Sequence, residues 1–239
     1  MGDIKEIFEK LDIAWDVGKE EKLLRYMDEI LRLNEQINLT AIKDREEFLQ
    51  KHYLDSLLCV GSDEFKKARR IIDVGTGAGF PGVPLAVAFP EKEFLLVDSL
   101  NKRVKIVAEI CESLSIDNVC VLHGRAEELA RRKDLREAFD LCVSRAVANM
   151  STLTEYCLPF VKVGGAFIAY KGPDCGEELA AAAKAIETLG GSLSGTEQPG
   201  ESKGDEIPFR HTLVFIKKEN PTGSKYPRKA GIPSKEPVK

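Results

Sequence analysis

The run Ile72-Asp73-Val74-Gly75-Thr76-Gly77-Ala78-Gly79-Phe80-Pro81-Gly82 constrains this chain more than any other stretch. An apolar strand-sized segment enters it (IIDV, 71–74), and an apolar helix-sized segment leaves it (VPLAVAF, 83–89). Glycines at a strand-to-helix junction let the backbone turn tightly and let a ligand approach the main chain closely. Such a turn opens a β-α-β unit, and the residues downstream repeat that unit.

Further strand-sized runs follow: EFLLVD (93–98), NVCVLHG (118–124), FDLCVSR (139–145) and GGAFIAYKG (164–172). Between them lie helix-sized segments at 102–114, up to about Arg136, and near 150–160. This alternation predicts an α/β fold with a mostly parallel, Rossmann-like sheet covered by helices on both faces. An Ala-rich helix over 176–189 should stop at Gly190-Gly191. HTLVFIKK (211–218) reads as a final strand, with SLSGTEQ (192–198) able to pair antiparallel to it. Three amphipathic helices, over 3–14, 19–37 and 44–59, precede the first strand.

With 239 residues, the chain suits one α/β domain with a small extension. No apolar run approaches the ~18 residues of a membrane span, and the charged start MGDIKEIFEK is unlike a secretory signal. Six cysteines show no CxxC and no paired His/Cys spacing, so no metal site is expected, and a reducing compartment suits them. The net charge of -4 argues against a generally nucleic-acid-binding body. From Lys217 onward, however, seven Lys/Arg face two Glu, a local +5 on a body of -9. Pro221, Pro227, Pro233 and Pro237 predict that this tail is extended. It can be a phosphate-contacting arm or simply a solvated end.

The turn admits two cofactor classes. Gly77, Gly79 and Gly82 satisfy GxGxxG, as in nicotinamide enzymes. Two details favour S-adenosylmethionine. Asp73 ends the strand, where a carboxylate suits an α-ammonium and a sulfonium but repels a pyrophosphate. Pro81 and Pro84 remove N–H donors that a pyrophosphate would use. Asp98, ending the second strand, can accept from ribose hydroxyls, and Gly77 allows close approach. A turn without any ligand is the bland alternative.

The sequence resembles the RsmG (GidB) family of bacterial 16S rRNA guanine-N7 methyltransferases. The resemblance runs through NLTAI (38–42), His52-x-x-Asp55-Ser56, IDVGTGAGFPGVPLA (72–86), VDSLNKR (97–103), GRAEE (124–128), SRAVA (144–148), Lys171-Gly172 and YPRKAGIP (226–233). It implies a cytoplasmic enzyme acting on the small ribosomal subunit, without membrane or metal, and taken here as a monomer. The order of elements divides the chain into an N-terminal helical extension (1–60), a methyltransferase domain (61–218) and a basic extended tail (219–239). Cofactor contacts carried over by motif fall on Gly75, Phe80, Ala126, Glu127 and Arg145. A small-molecule methyltransferase, a nicotinamide enzyme and a non-catalytic RNA-binding module remain the competing readings.

After the fourth strand stands Ser144-Arg145-Ala146 rather than a D/N-P-P-F/Y tetrad, and no cysteine occupies a nucleophile motif. Guanine N7 carries a free lone pair and no proton, so its methylation needs alignment rather than a general base. Arg145 is the leading catalytic candidate, able to hold the cofactor carboxylate or fork onto a base or phosphate. His52, Lys171, Tyr226, Arg228 and Lys229 are candidates for RNA contact, the tyrosine by stacking and the cations by phosphate pairing.

Overall fold

The computed structural model describes residues 3–145, 147–199 and 211–239. Helices α1 (Ile4–Lys10) and α2 (Val17–Asn34) open the chain, and each starts where an aspartate accepts a first-turn N–H. Asp3 caps Glu6 and Asp16 caps Lys19. The segment expected as one helix over 44–59 is composite. It runs through α3 (Arg45–Phe48), a π-helical turn (Leu49–Leu54), α4 (Asp55–Leu57) and a 3-10 turn (Leu58–Gly61), with α5 (Asp63–Lys67) after it. The wider π turn leaves the apolar spacing readable as a helix while redirecting the side chains it carries.

The sheet contains β1 (Arg70–Val74), β2 (Glu93–Asp98), β3 (Val119–His123), β4 (Phe139–Arg145), β5 (Val161–Lys171), β6 (Gly191–Glu197) and β7 (Thr212–Lys218). Its order is β3-β2-β1-β4-β5-β7-β6. The first five strands are parallel, and β7 is antiparallel to both β5 and β6. The crossovers are α6 (Gly82–Ala88), α7 (Asn101–Ser113), α8 (Ala126–Leu129), α9 (Met150–Cys157) and α10 (Gly176–Thr188). The helical stretch expected to reach Arg136 is shorter, ending at Leu129.

Alternation along the strands feeds two cores. Ile71, Leu96, Leu141, Val143 and Ile168 face the N-terminal helices with α6 and α7. Ile72, Val74, Cys142, Phe167 and Ala169 face the other side, with α9 and α10. Because β1 pairs β2 on one side and β4 on the other, the connections diverge at the carboxyl end of β1. That divergence opens a crevice, the place where open α/β sheets bind ligands.

The tail is docked rather than a free extended arm. It ends in a short helix, α11 (Ile232–Lys235), and its carbonyls are collected by the domain. Arg136 donates to the carbonyls of Tyr226 and Thr222, Arg131 to that of Pro227, and Thr152 to that of Pro233. Arg228 donates from Nε to Oε1 and from Nη2 to Oε2 of the fully buried Glu155.

Candidate active site

The glycine turn is wired from behind by Asp73. Its Oδ2 accepts from the Thr76 hydroxyl at 2.7 Å and from Gly82 N–H at 2.8 Å. Burial pushes this carboxyl up to about 7, against the opposing pull of those two hydrogen bonds and the Arg145 cation. Its Oδ1 is buried without a partner. Gly75, Gly77 and Gly79 all have positive φ. At Gly79 a Cβ would meet the Tyr26 hydroxyl at 2.2 Å, because Tyr26 of α2 reaches across to donate to the Ala78 carbonyl at 2.9 Å. An N-terminal helix therefore braces the turn.

In front of the turn lies a cleft of ≈ 280 Å³ at the carboxyl ends of β1, β2 and β3. Gly75, Asp98, Ala126 and Glu127 line it, joined by Arg103, Val147 and Tyr156. Asp98 receives Gly77 N–H on one oxygen at 2.9 Å and Leu100 N–H on the other at 2.8 Å. Each oxygen keeps a further lone pair for a ligand hydroxyl. Glu127 is held by the tail, accepting from Gly231 N–H at 2.9 Å. A Cβ on Gly75 would lie 2.4 Å from a Val147 methyl, so Val147 leans directly over the turn. A larger hollow of ≈ 530 Å³ sits at the opposite end of the sheet, where Lys67 pairs with Asp63 and Lys162 with Asp140.

Arg145, Phe80 and His52 gather beside this cleft, in a packed polar cluster under the N-terminal layer. The Arg145 guanidinium pairs with the buried Asp55, donates to the Lys51 carbonyl at 3.1 Å and meets His52 Nδ1 at 3.1 Å. Its Cζ lies 5.5 Å from the Phe80 ring centroid. The His52 ring stacks on Phe80 at 4.2 Å and an interplanar angle of 1°. Since arginine only donates, His52 Nδ1 must be the acceptor, and Nε2–H faces the Thr40 hydroxyl at 2.8 Å. Burial, reinforced by the neighbouring Arg145 cation, lowers His52 to about 3. Asp55 also binds His211.

Lys171 is paired with Glu178 at 2.7 Å and donates to the Ala148 carbonyl, which ties down the loop after β4. Tyr226 is buried in the second core, and Arg228 is committed to Glu155. The expected stacking ring and one expected phosphate contact thus serve to fasten the tail, because packing and a buried carboxylate engage them first. Lys229 is exposed. Sequence reading gave no role to Tyr26, Thr40, Arg103, Glu155 or His211; Tyr26, Glu155 and His211 act across 52, 73 and 156 residues, which leaves no local spacing signal.

The sequence profile of the rRNA small subunit methyltransferase G (GidB) family matches residues 19–203. The ribosomal RNA small subunit methyltransferase G of Alkaliphilus oremlandii is 48% identical over 239 residues, covering 99% of this chain and 98% of its own. That of Clostridium tetani is 47% identical over 227 residues, covering 95% and 94%. The chain belongs to this family. Solved structures agree on the fold of this family member. An O-methyltransferase from Bacillus cereus in complex with SAH superposes with TM-score 0.56 at 18% identity, over 90% of this chain and 97% of that one. One from Klebsiella pneumoniae, described as a putative O-methyltransferase, gives 0.55 at 14% identity over 90% and 96%.

Proposed function

We propose that this chain transfers a methyl group from S-adenosylmethionine to N7 of one guanine in 16S rRNA of the small ribosomal subunit, working as a cytoplasmic monomer. The observation that carries the reading is the cleft itself. It lies where the sheet topology diverges, and Gly75, Asp98, Ala126 and Glu127 of the family motifs line it together. No helix among the described residues is long and apolar enough to cross a membrane.

The residues fit S-adenosylmethionine. Asp98 offers two oxygens with spare lone pairs for ribose hydroxyls, and the orphaned Asp73 Oδ1 is an acceptor that an ammonium would satisfy. Asp98 and Glu127 share the cleft wall with Arg103 and Arg125, so the case against a pyrophosphate, and with it a nicotinamide enzyme, rests on the Asp73 carboxylate at the end of β1. When bound, the cofactor supplies an electrophilic methyl carbon.

The protein's own task is then orientation. Guanine N7 has a free lone pair and no proton, so the chain would need to hold the base in line with the methyl carbon and no side chain would need to act as general base. Aligning the two reactants can supply several kcal/mol, up to ~7–11 in ideal geometry. Arg145, its fork already occupied by Asp55, Lys51 and His52, is read as a positioning residue that clamps the end of β4 to the N-terminal layer. Lys171 plays the same part for the loop at Ala148.

The test is transfer of labelled methyl from S-adenosylmethionine into small subunits isolated from cells lacking this protein, followed by mapping of the modified base. Label at a guanine N7 of 16S rRNA is the expected result. Label absent from rRNA, or found only in small molecules, would overturn the proposal.

A further inference from the structure

Beside the cofactor cleft lies a second groove of ≈ 890 Å³, lined by α2's end, the loop 38–43 and Arg103 of α7. Its size falls in the ~300–1,000 Å³ range of ligand-binding pockets. The loop that forms its wall is rigidly built. Asn34, nearly buried, accepts from Leu39 N–H at 2.8 Å and Thr40 N–H at 3.0 Å, and donates to the Thr40 carbonyl at 2.8 Å. The Thr40 side chain then reaches His52, and His52 reaches Arg145 at the end of β4. The groove wall is thereby locked to the strand end beside which transfer takes place.

What the loop leaves outward is polar and cationic. Asn38 and Lys43 are exposed, and neither Lys43 nor the half-buried Arg103 has an acidic partner among the described residues. Arg32 adds a third cation, shared with Glu29, and Glu35 is the single lining carboxylate. Arg103 lines both hollows, so its side chain stands where the cofactor cleft and the groove adjoin. On a body of negative net charge, two unpaired cations in a pre-shaped groove fit a polyanion at one defined place.

From this we infer that the groove holds a single-stranded RNA segment flanking the target guanine, with Lys43 and Arg103 on its phosphates and Asn38 within reach of a base edge or sugar. The inference rests on the rRNA substrate proposed above, and it moves RNA recognition from the docked tail to the N-terminal layer. Each cation removed from a single-strand contact lowers the dependence of log K on log salt by about 0.7.

The experiment compares the full-length protein with its Lys43→Gln/Arg103→Gln double variant, and with Lys162→Gln at the far end of the sheet as a control. Binding to protein-free 16S rRNA and to intact small subunits is measured across a salt series, with melting curves to confirm folding. A drop of about 1.4 in the salt slope for the double variant on both substrates, and none for the control, is the expected result. An unchanged slope on naked RNA in a folded double variant overturns the assignment. So does a loss confined to intact subunits, which would give the groove to an acidic ribosomal-protein surface. Failure of the unaltered protein to methylate small subunits would sink the underlying function. An unchanged slope with methylation intact would sink the groove alone.

Discussion

Replacing His52 with asparagine should convert a buried electrostatic conflict into a stability gap that depends on pH. In the folded protein, burial and the Arg145 cation hold His52 at about 3, against an ordinary 6.5. The folded value lies below the unfolded one, so the unfolded chain takes up the proton first. Stability from this group is therefore intact above 6.5 and is lost as pH falls toward 3. Between pH 7 and pH 5 the loss amounts to ~2 kcal/mol, at 1.36 kcal/mol per unit. The His52→Asn side chain keeps an acceptor for Arg145 but cannot titrate. It forfeits the Thr40 hydrogen bond and the stack on Phe80, together about 1–2 kcal/mol at pH 7. Urea unfolding of both proteins should show the variant less stable at pH 7 and level with the unaltered protein, or slightly above it, at pH 5. Asp73, which titrates near 7, is common to both and cancels in the difference. An equal deficit at both pH values would mean that His52 protonates freely in the fold, and the Arg145–His52 arrangement would be refuted.

Gly79→Ala should cost more than Gly77→Ala although both have positive φ, because only the former drives a Cβ into Tyr26 and Val83. Gly77→Ala carries the backbone strain of roughly 1–2 kcal/mol, and Gly79→Ala that plus a clash, as thermal unfolding would reveal; equal costs would deny the Tyr26 brace. Asp98→Asn should weaken S-adenosylhomocysteine binding by about 10- to 100-fold in calorimetry, the size of a lost charge-assisted hydrogen bond, and a change under twofold would remove Asp98 from the site. Glu155→Ala should cost about 3 kcal/mol and render residues 219–239 susceptible to protease, since Arg228 loses its buried partner; an equally resistant tail would show that docking does not need this pair. Protein-free 16S rRNA should be methylated more slowly than small subunits if ribosomal proteins shape the substrate, and equal rates would dismiss that idea.

Much of the fold was legible because its signals are local. Short continuous apolar runs, the glycine turn and the Gly190 stop each follow from a few adjacent residues, and β1 to β5 appear in the expected order. The proposed cofactor cleft was legible locally through Gly75 and Asp98, at the carboxyl ends of β1 and β2, whereas Ala126 and Glu127, which open α8, came from the family resemblance. What stayed hidden depends on contacts between distant segments. A π turn preserves the apolar stripe of a helix, so nothing in the spacing of Leu49–Leu54 announced that His52 and Asp55 would converge on Arg145, some 90 residues on. The tail misled because prolines and lysines read as solvent-exposed. Its anchors are backbone carbonyls taken by Arg131 and Arg136, which leave no pattern in the tail's own sequence.

The clasp between Gly231 and Glu127 joins residues 104 positions apart in the chain. In the order in which the polypeptide emerges during synthesis, every strand of the sheet precedes the segment that steadies this wall of the cleft. The pocket is accordingly finished last, and affinity for its small ligand should report when the newly made chain has completed its final fastening.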